Sequence, residues 1–157
     1  MSFTILAYRD IMCQMRKSPL KKIGTSDTST LKKEIQRLLR EIVIIRDKKC
    51  QRCGVKYGTE GVVFQCDHLL SRSHNATYAV SALCVLLCKP CHAWKSLGSN
   101  LRKKEYDEFM RAKLSKEVVS LWDRCEQDSW RVTKKGAYDW GLEIVALNQE
   151  LSTLDKK

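Results

Sequence analysis

Two Cys-x-x-Cys pairs, Cys50-Gln51-Arg52-Cys53 and Cys88-Lys89-Pro90-Cys91, set the centre of this chain. Thirty-four residues lie between them, enough for a hairpin that brings the pairs together. All three histidines and six of the eight cysteines fall between Cys50 and Lys95. Four thiolates from two short loops suit one tetrahedral zinc, each loop placing two sulfurs about 2.3 Å from the ion. Cys50, Cys53, Cys88 and Cys91 are therefore the expected zinc ligands. A zinc enclosed by four cysteines has no open position and is structural. The competing reading, buried or redox-active thiols, requires both pairs to arise without purpose. Cys66 and Cys84 fall on expected strands and read as core, with a metal role as their lesser alternative. Cys13 has no partner nearby and reads as an idle or buried thiol.

The 157 residues suit one domain of ordinary size, or a small one with long appendages. No run approaches the roughly 18 apolar residues of a membrane span, and the first residues do not read as a secretory signal. The expected location is the reducing cytoplasm, where paired cysteines bind metal more often than they form disulfides. Formal net charge is +11. Residues 1–49 hold 12 basic against 5 acidic residues, residues 50–101 hold 5 against 2, and residues 102–157 hold 12 against 11. The excess thus borders the cysteine window, which points to a polyanionic partner, most simply nucleic acid. The bland alternative is a basic protein with no such partner.

Residues 1–29 read as a basic arm, ordered on DNA or simply a disordered tail. Leu31, Ile35, Leu38, Leu39, Ile42 and Ile45 form one apolar stripe, which predicts a helix over 30–46, capped by Thr28, Ser29 or Thr30. Residues 62–66 read as a strand ending at Asp67-His68, residues 69–81 as a polar loop, and residues 82–87 as a second buried strand. Pro90 suits the first turn of a helix carrying Cys91, His92 and Lys95 and interrupted at Gly98-Ser99. Helices are expected over 102–114, with Tyr106, Phe109, Met110 and Leu114 on one side, then over 116–125 and 137–151, with 129–135 as a connector. The aromatic residues read as core rather than as stacking platforms.

Since a closed zinc does no chemistry, catalysis would need a second site. Asp67 and His68 are adjacent at a strand end, and His92 follows the last zinc cysteine. Asp67 and His92 can each offer one atom to a divalent cation, leaving His68 free of metal to accept a proton from water.

Cys-x-x-Cys, then Asp67-His68, then Cys-x-x-Cys-His92 resembles the ββα-metal, or HNH, nuclease motif. Ile42-Val43-Ile44-Ile45-Arg46-Asp47 before the first cysteine pair is similar to the helix and Arg-Asp of the NinG (Rap) recombination endonucleases of lambda-like phages. His68-Leu69-Leu70-Ser71-Arg72-Ser73-His74-Asn75-Ala76-Thr77 resembles that family's His-aromatic-Ile-Ser-Arg-x-His-x-Ala-Thr segment. Gly98-Ser99-Asn100-Leu101 is similar to its Ser-Gly-Asn-Leu, and Glu143, Asn148, Glu150 and Leu151 fit its closing helix.

The resemblance covers about residues 30–152. It implies an α+β fold with a small zinc-stabilised ββα-metal core flanked by N- and C-terminal helices. The expected boundaries are 1–29 for the arm, 30–101 for the helix and zinc module, and 102–157 for a helical region. It also implies a phage or bacterial-host cytoplasmic endonuclease acting on branched or recombining DNA. Mg²⁺ or Mn²⁺ would be held by Asp67 and His92, His68 would be the general base, and the products would carry 5′-phosphate and 3′-hydroxyl ends. Arg72, His74 and Lys95 are the expected phosphate contacts, and symmetric cutting of two strands would favour a homodimer.

The chain departs from the motif in three places. Leu83 stands where the HNH pattern has an asparagine that orients the histidine loop, with Asn75 as an offset substitute. Tyr78-Ala79-Val80 replaces a charged Arg-aromatic-Asp. The N-terminal Cys-x-x-Cys of many relatives is reduced to Cys13. Two further readings stand beside the nuclease: a zinc-stabilised DNA-binding module that has lost catalysis, and a zinc-ribbon adaptor that binds protein.

Overall fold

The computed structural model describes residues 28–72, 75–128 and 139–156. Most of the expected arm, Cys13, His74 and the expected connector 129–135 lie outside the described residues. What is described is α+β: helices arranged around one two-stranded antiparallel sheet.

Helix α1, Thr28–Asp47, starts two residues before its predicted position. Its apolar stripe is buried at Ile35, Leu38, Leu39 and Ile42, with Val43 rather than Ile45 completing it. The chain leaves α1 through Lys48, held at a φ of 58° while its amide donates to the Ile44 carbonyl. It then enters the first cysteine loop.

Strand β1 is Phe64–His68; a short helix α2, Asn75–Tyr78, and a 3₁₀ turn, Ser81–Leu83, lead to β2, Cys84–Cys88. Both strands begin two residues later than the sequence predicts. At the first, the Val62 amide closes a turn onto the Thr59 carbonyl and Gly61 takes a φ of 71°, so the extended run cannot start before Val63. At the second, residues 81–83 coil instead of extending, and Leu83 N donates to the Val80 carbonyl. Asp67 and His68 consequently lie within β1 rather than beyond its end.

The register pairs Phe64 with Cys88, Cys66 with Leu86, Asp67 with Val85 and His68 with Cys84. Alternation along each strand places Cys66, His68 and Cys84 on one face, and Asp67 with Val85 on the other. α1 packs across the first face, where Gln36 meets His68. Helix α3, Lys89–Ser96, follows β2 directly and packs on the second, where His92 and Lys95 meet Asp67. This explains why every residue of β2 is buried.

The outward-facing backbone of β2 is satisfied from α1 and the first cysteine loop. Asp47 Oδ2 accepts from Leu86 N at 2.8 Å, Arg46 donates to the carbonyls of Cys84 (2.6 Å) and Ser81 (3.0 Å), and Gln51 N donates to the Leu86 carbonyl at 2.8 Å. Arg46 and Asp47 also pair with each other at 2.7 Å.

Helices α4, Asn100–Lys113, α5, Lys116–Asp128, and α6, Trp140–Leu154, complete the described chain. Asp139 caps α6 by accepting from Gly141 N and Leu142 N. α6 lies along α1, and Ser81 Oγ donates to the Glu150 carboxylate at 2.7 Å. Tyr106, Met110, Trp122, Trp140 and Leu147 join the core, as the aromatic reading expects. Phe109 does not: it stays 42% exposed, with the Lys113 ammonium over its ring. No described helix is long and apolar enough to cross a membrane.

Candidate metal centre and adjoining cleft

The two cysteine loops meet. The sulfurs of Cys50, Cys53, Cys88 and Cys91 all lie within 4.8 Å of one another, and Cys53 Sγ is 3.7 Å from Cys88 Sγ. A tetrahedron with Zn–S bonds of about 2.3 Å has edges of about 3.8 Å, so this set could hold a metal ion such as zinc.

The first loop is shaped by backbone. Gly54, at a φ of 82°, returns its amide to the Cys50 carbonyl, and Cys50 N donates to the Val55 carbonyl. Burial pushes the Cys50 thiol up, but the amides of Cys53, Cys88 and Arg52 outweigh it and bring the thiol down to about 7. Burial and the neighbouring Cys88 thiol push Cys91 up to about 12. Four adjacent thiols cannot all ionise without a cation among them, and the arrangement supplies a counter-charge for that state. The Arg52 guanidinium stacks 3.9 Å from the Trp94 ring and reaches to 3.7 Å from Cys91 Sγ. Cys53 is exposed while the other three cysteines are buried.

Beside this centre lies a cleft of about 240 Å³, lined among others by Asp67, His68, Arg72, His92 and Lys95. Four of the residues singled out for chemistry or phosphate contact thus meet with Asp67 in one place; His74 lies outside the described residues. Asp67 is only 4% exposed. Its Oδ2 accepts from Lys95 Nζ and from Tyr106 Oη, both at 2.7 Å, while Oδ1 faces His92 Nε2 at 3.5 Å. Burial first, and the Asp67 charge second, hold the Tyr106 phenol well above its ordinary value, so it remains a donor. Oδ1 and the His92 imidazole are then the atoms left to face a cation. Cis ligands about 2.1 Å from an octahedral ion stand about 3.0 Å apart, so a small adjustment from 3.5 Å accommodates one.

Lys95 is placed differently from its expected role on a phosphate. Its side chain is only 13% exposed, and its ammonium is taken by Asp67 and by the His68 carbonyl at 2.8 Å. It holds β1 to α3. Arg72 is exposed beside the cleft.

His68 Nε2 is 3.1 Å from the Tyr78 carbonyl. A carbonyl can only accept, so this contact puts the proton on Nε2 and leaves Nδ1 the lone pair; the Gln36 amide nitrogen, itself a donor, stands farther from the same atom at 3.4 Å and makes no hydrogen bond to it in that tautomer. Burial pushes His68 below the ordinary histidine range, opposed by the Tyr78 carbonyl and reinforced by Arg72. The ring therefore favours its neutral form.

Leu83, at the position where the resemblance expects an asparagine, is 1% exposed. Backbone contacts hold the histidine loop here: Leu69 N donates to the Leu83 carbonyl at 2.9 Å, and Tyr78 accepts from the ring itself. The side chain of Asn75 lies outside the described set. Tyr106 and Tyr78 also serve the site, and the sequence does not single them out for it. Tyr106 was visible only as one apolar position of a helix, and Tyr78 contributes backbone, which leaves no mark in the sequence.

No protein-family model, no curated protein and no solved structure matches this chain.

Proposed function

We propose that this chain is a metal-dependent DNA endonuclease of the ββα-metal (HNH) type, held together by a four-cysteine zinc. One observation carries the reading: Asp67, His68, His92 and Arg72 line a single cleft on a hairpin and helix joined at a cysteine centre. Asp67 Oδ1 and His92 would hold Mg²⁺ or Mn²⁺, which when bound stabilises charge developing on the phosphate and the leaving oxygen. Lys95 and Tyr106 fix the Asp67 carboxylate from its other oxygen. His68, with Nε2 anchored on Tyr78, accepts the proton of the attacking water at Nδ1. Its depressed proton affinity keeps it neutral and ready at neutral pH. The Arg72 guanidinium at the cleft mouth supplies a phosphate contact, and the +11 net charge favours a polyanion. Preference for branched or recombining DNA follows from the NinG resemblance.

The second reading is a zinc-dependent DNA-binding module without catalysis. Two observations favour it: apolar Leu83 at the asparagine position, and an Asp67 oxygen already committed to Lys95 and Tyr106.

Supercoiled plasmid and a four-way junction, each with Mg²⁺, Mn²⁺ or EDTA, separate the two. Cutting that needs the metal and disappears in His68→Ala supports the nuclease. Retention of DNA with no cutting in either metal supports the binding module.

A further inference from the structure

We propose that Cys66, His68 and Cys84 form a second metal site, separate from the four-cysteine centre, that takes a thiophilic ion such as Zn²⁺. Their donor atoms, two sulfurs and one ring nitrogen, all lie within 4.8 Å of one another. The sheet dictates the grouping. Cys66 and His68 are two apart on β1 and so share a face, and Cys84 is the register partner of His68 on β2.

Three further features suit a ligand set. The ring of His68 donates its Nε2 proton to the Tyr78 carbonyl, the outer hydrogen bond that orients a metal-binding histidine and leaves the other nitrogen to the ion. Cys84 is fully buried and Cys66 half-buried, so the base of the site is fixed by core packing. Cys66 and His68 also line the cleft, which leaves a fourth position toward solvent, as in open Cys₂His zinc sites. Two sulfurs select zinc or copper(I) over magnesium, so this site differs in class from the oxygen- and imidazole-facing position at Asp67 and His92. If the nuclease reading holds, an ion here takes the same lone pair that would accept a proton from water, and bound zinc switches cleavage off.

The full chain, purified with zinc, is dialysed to remove loosely held ions, and its metal content is measured at graded Zn²⁺. Separately, Co²⁺ is added to protein carrying one zinc per chain, whose second site is still empty, and thiolate-to-cobalt absorption is followed. Wild type is expected to reach about two zinc ions per chain and to develop the cobalt band. Cys66→Ser and Cys84→Ala are each expected to stop at about one and to show no band. Cys66→Ser is half-buried and retains the fold should Cys84→Ala fail to. A plateau at about one zinc in wild type, or a cobalt band persisting in both variants, overturns the site. Plasmid cleavage in Mg²⁺ is scored apart from this. A second zinc bound by wild type, with no cutting by protein held at one zinc per chain, leaves the site standing and removes the nuclease, whereas cutting with a plateau at one zinc does the reverse.

Discussion

Lys95 shows how much one side chain's direction decides. Its ammonium and the Asp67 carboxylate form a pair that is nearly out of water, at 13% and 5% side-chain exposure. Removing one partner of such a pair leaves a buried charge uncompensated, at a cost of about 3 kcal/mol or more. Lys95→Met is expected to lose about that much stability in urea denaturation, and adding Asp67→Asn should restore most of it. Asp107 makes a contrasting case. Its Oδ1 is buried without a partner among the described residues, and burial raises its proton affinity against the nearby Lys95 and Lys103. A carboxyl whose folded value exceeds its unfolded one disfavours folding once pH rises above the unfolded value. Wild type is therefore expected to lose stability from acid toward neutral pH relative to Asp107→Asn, and denaturation midpoints across that range test it. The sequence carried the identity of these residues but not their pairing. Cys50, Cys53, Cys88 and Cys91 were legible because spacing alone limits what they can do. Lys95 was not, because its direction depends on how α3 crosses β1.

Elements follow the same division. The stripe of α1 was readable because 3.6-residue periodicity reports a buried face directly. An apolar run does not reveal that Gly61 and Val62 turn, or that residues 81–83 coil, so both strands start two residues later than it suggests. Arg46-Asp47 was recognised only as a point of resemblance, and its work is structural: it fastens the end of α1 to β2. Asp47→Ala removes the acceptor of a buried amide and one half of an ion pair. A loss of about 2 kcal/mol is expected, since a stranded buried donor costs about 1–3 kcal/mol. Hydrogen exchange should show it first at the Leu86 amide. An unchanged exchange rate there would mean that α1 does not hold the strand.

For the molecule as a whole, the cysteine centre ties the first loop to the junction of β2 and α3, and so joins α1, the sheet and the cleft. Structural zinc contributes roughly 10 kcal/mol or more in small domains, comparable to the entire stability of an ordinary one at about 5–15 kcal/mol. Stripping metal with a strong chelator, or Cys88→Ala, is expected to abolish the cooperative melting transition and the near-ultraviolet circular dichroism. A melting temperature and zinc content unchanged in Cys88→Ala would remove the centre from the fold. The α+β class and the cysteine set were thus accessible from sequence, while the cleft needed the register that sets Asp67 and His68 on opposite faces of one strand. Since Cys84 and Leu86 already have their outward backbone groups bonded within the chain, that flank of the sheet offers no ladder for an incoming strand. Two copies of this chain, or a peptide guest, would have to meet it through side chains there, and continuous sheets across neighbouring molecules cannot begin from that flank.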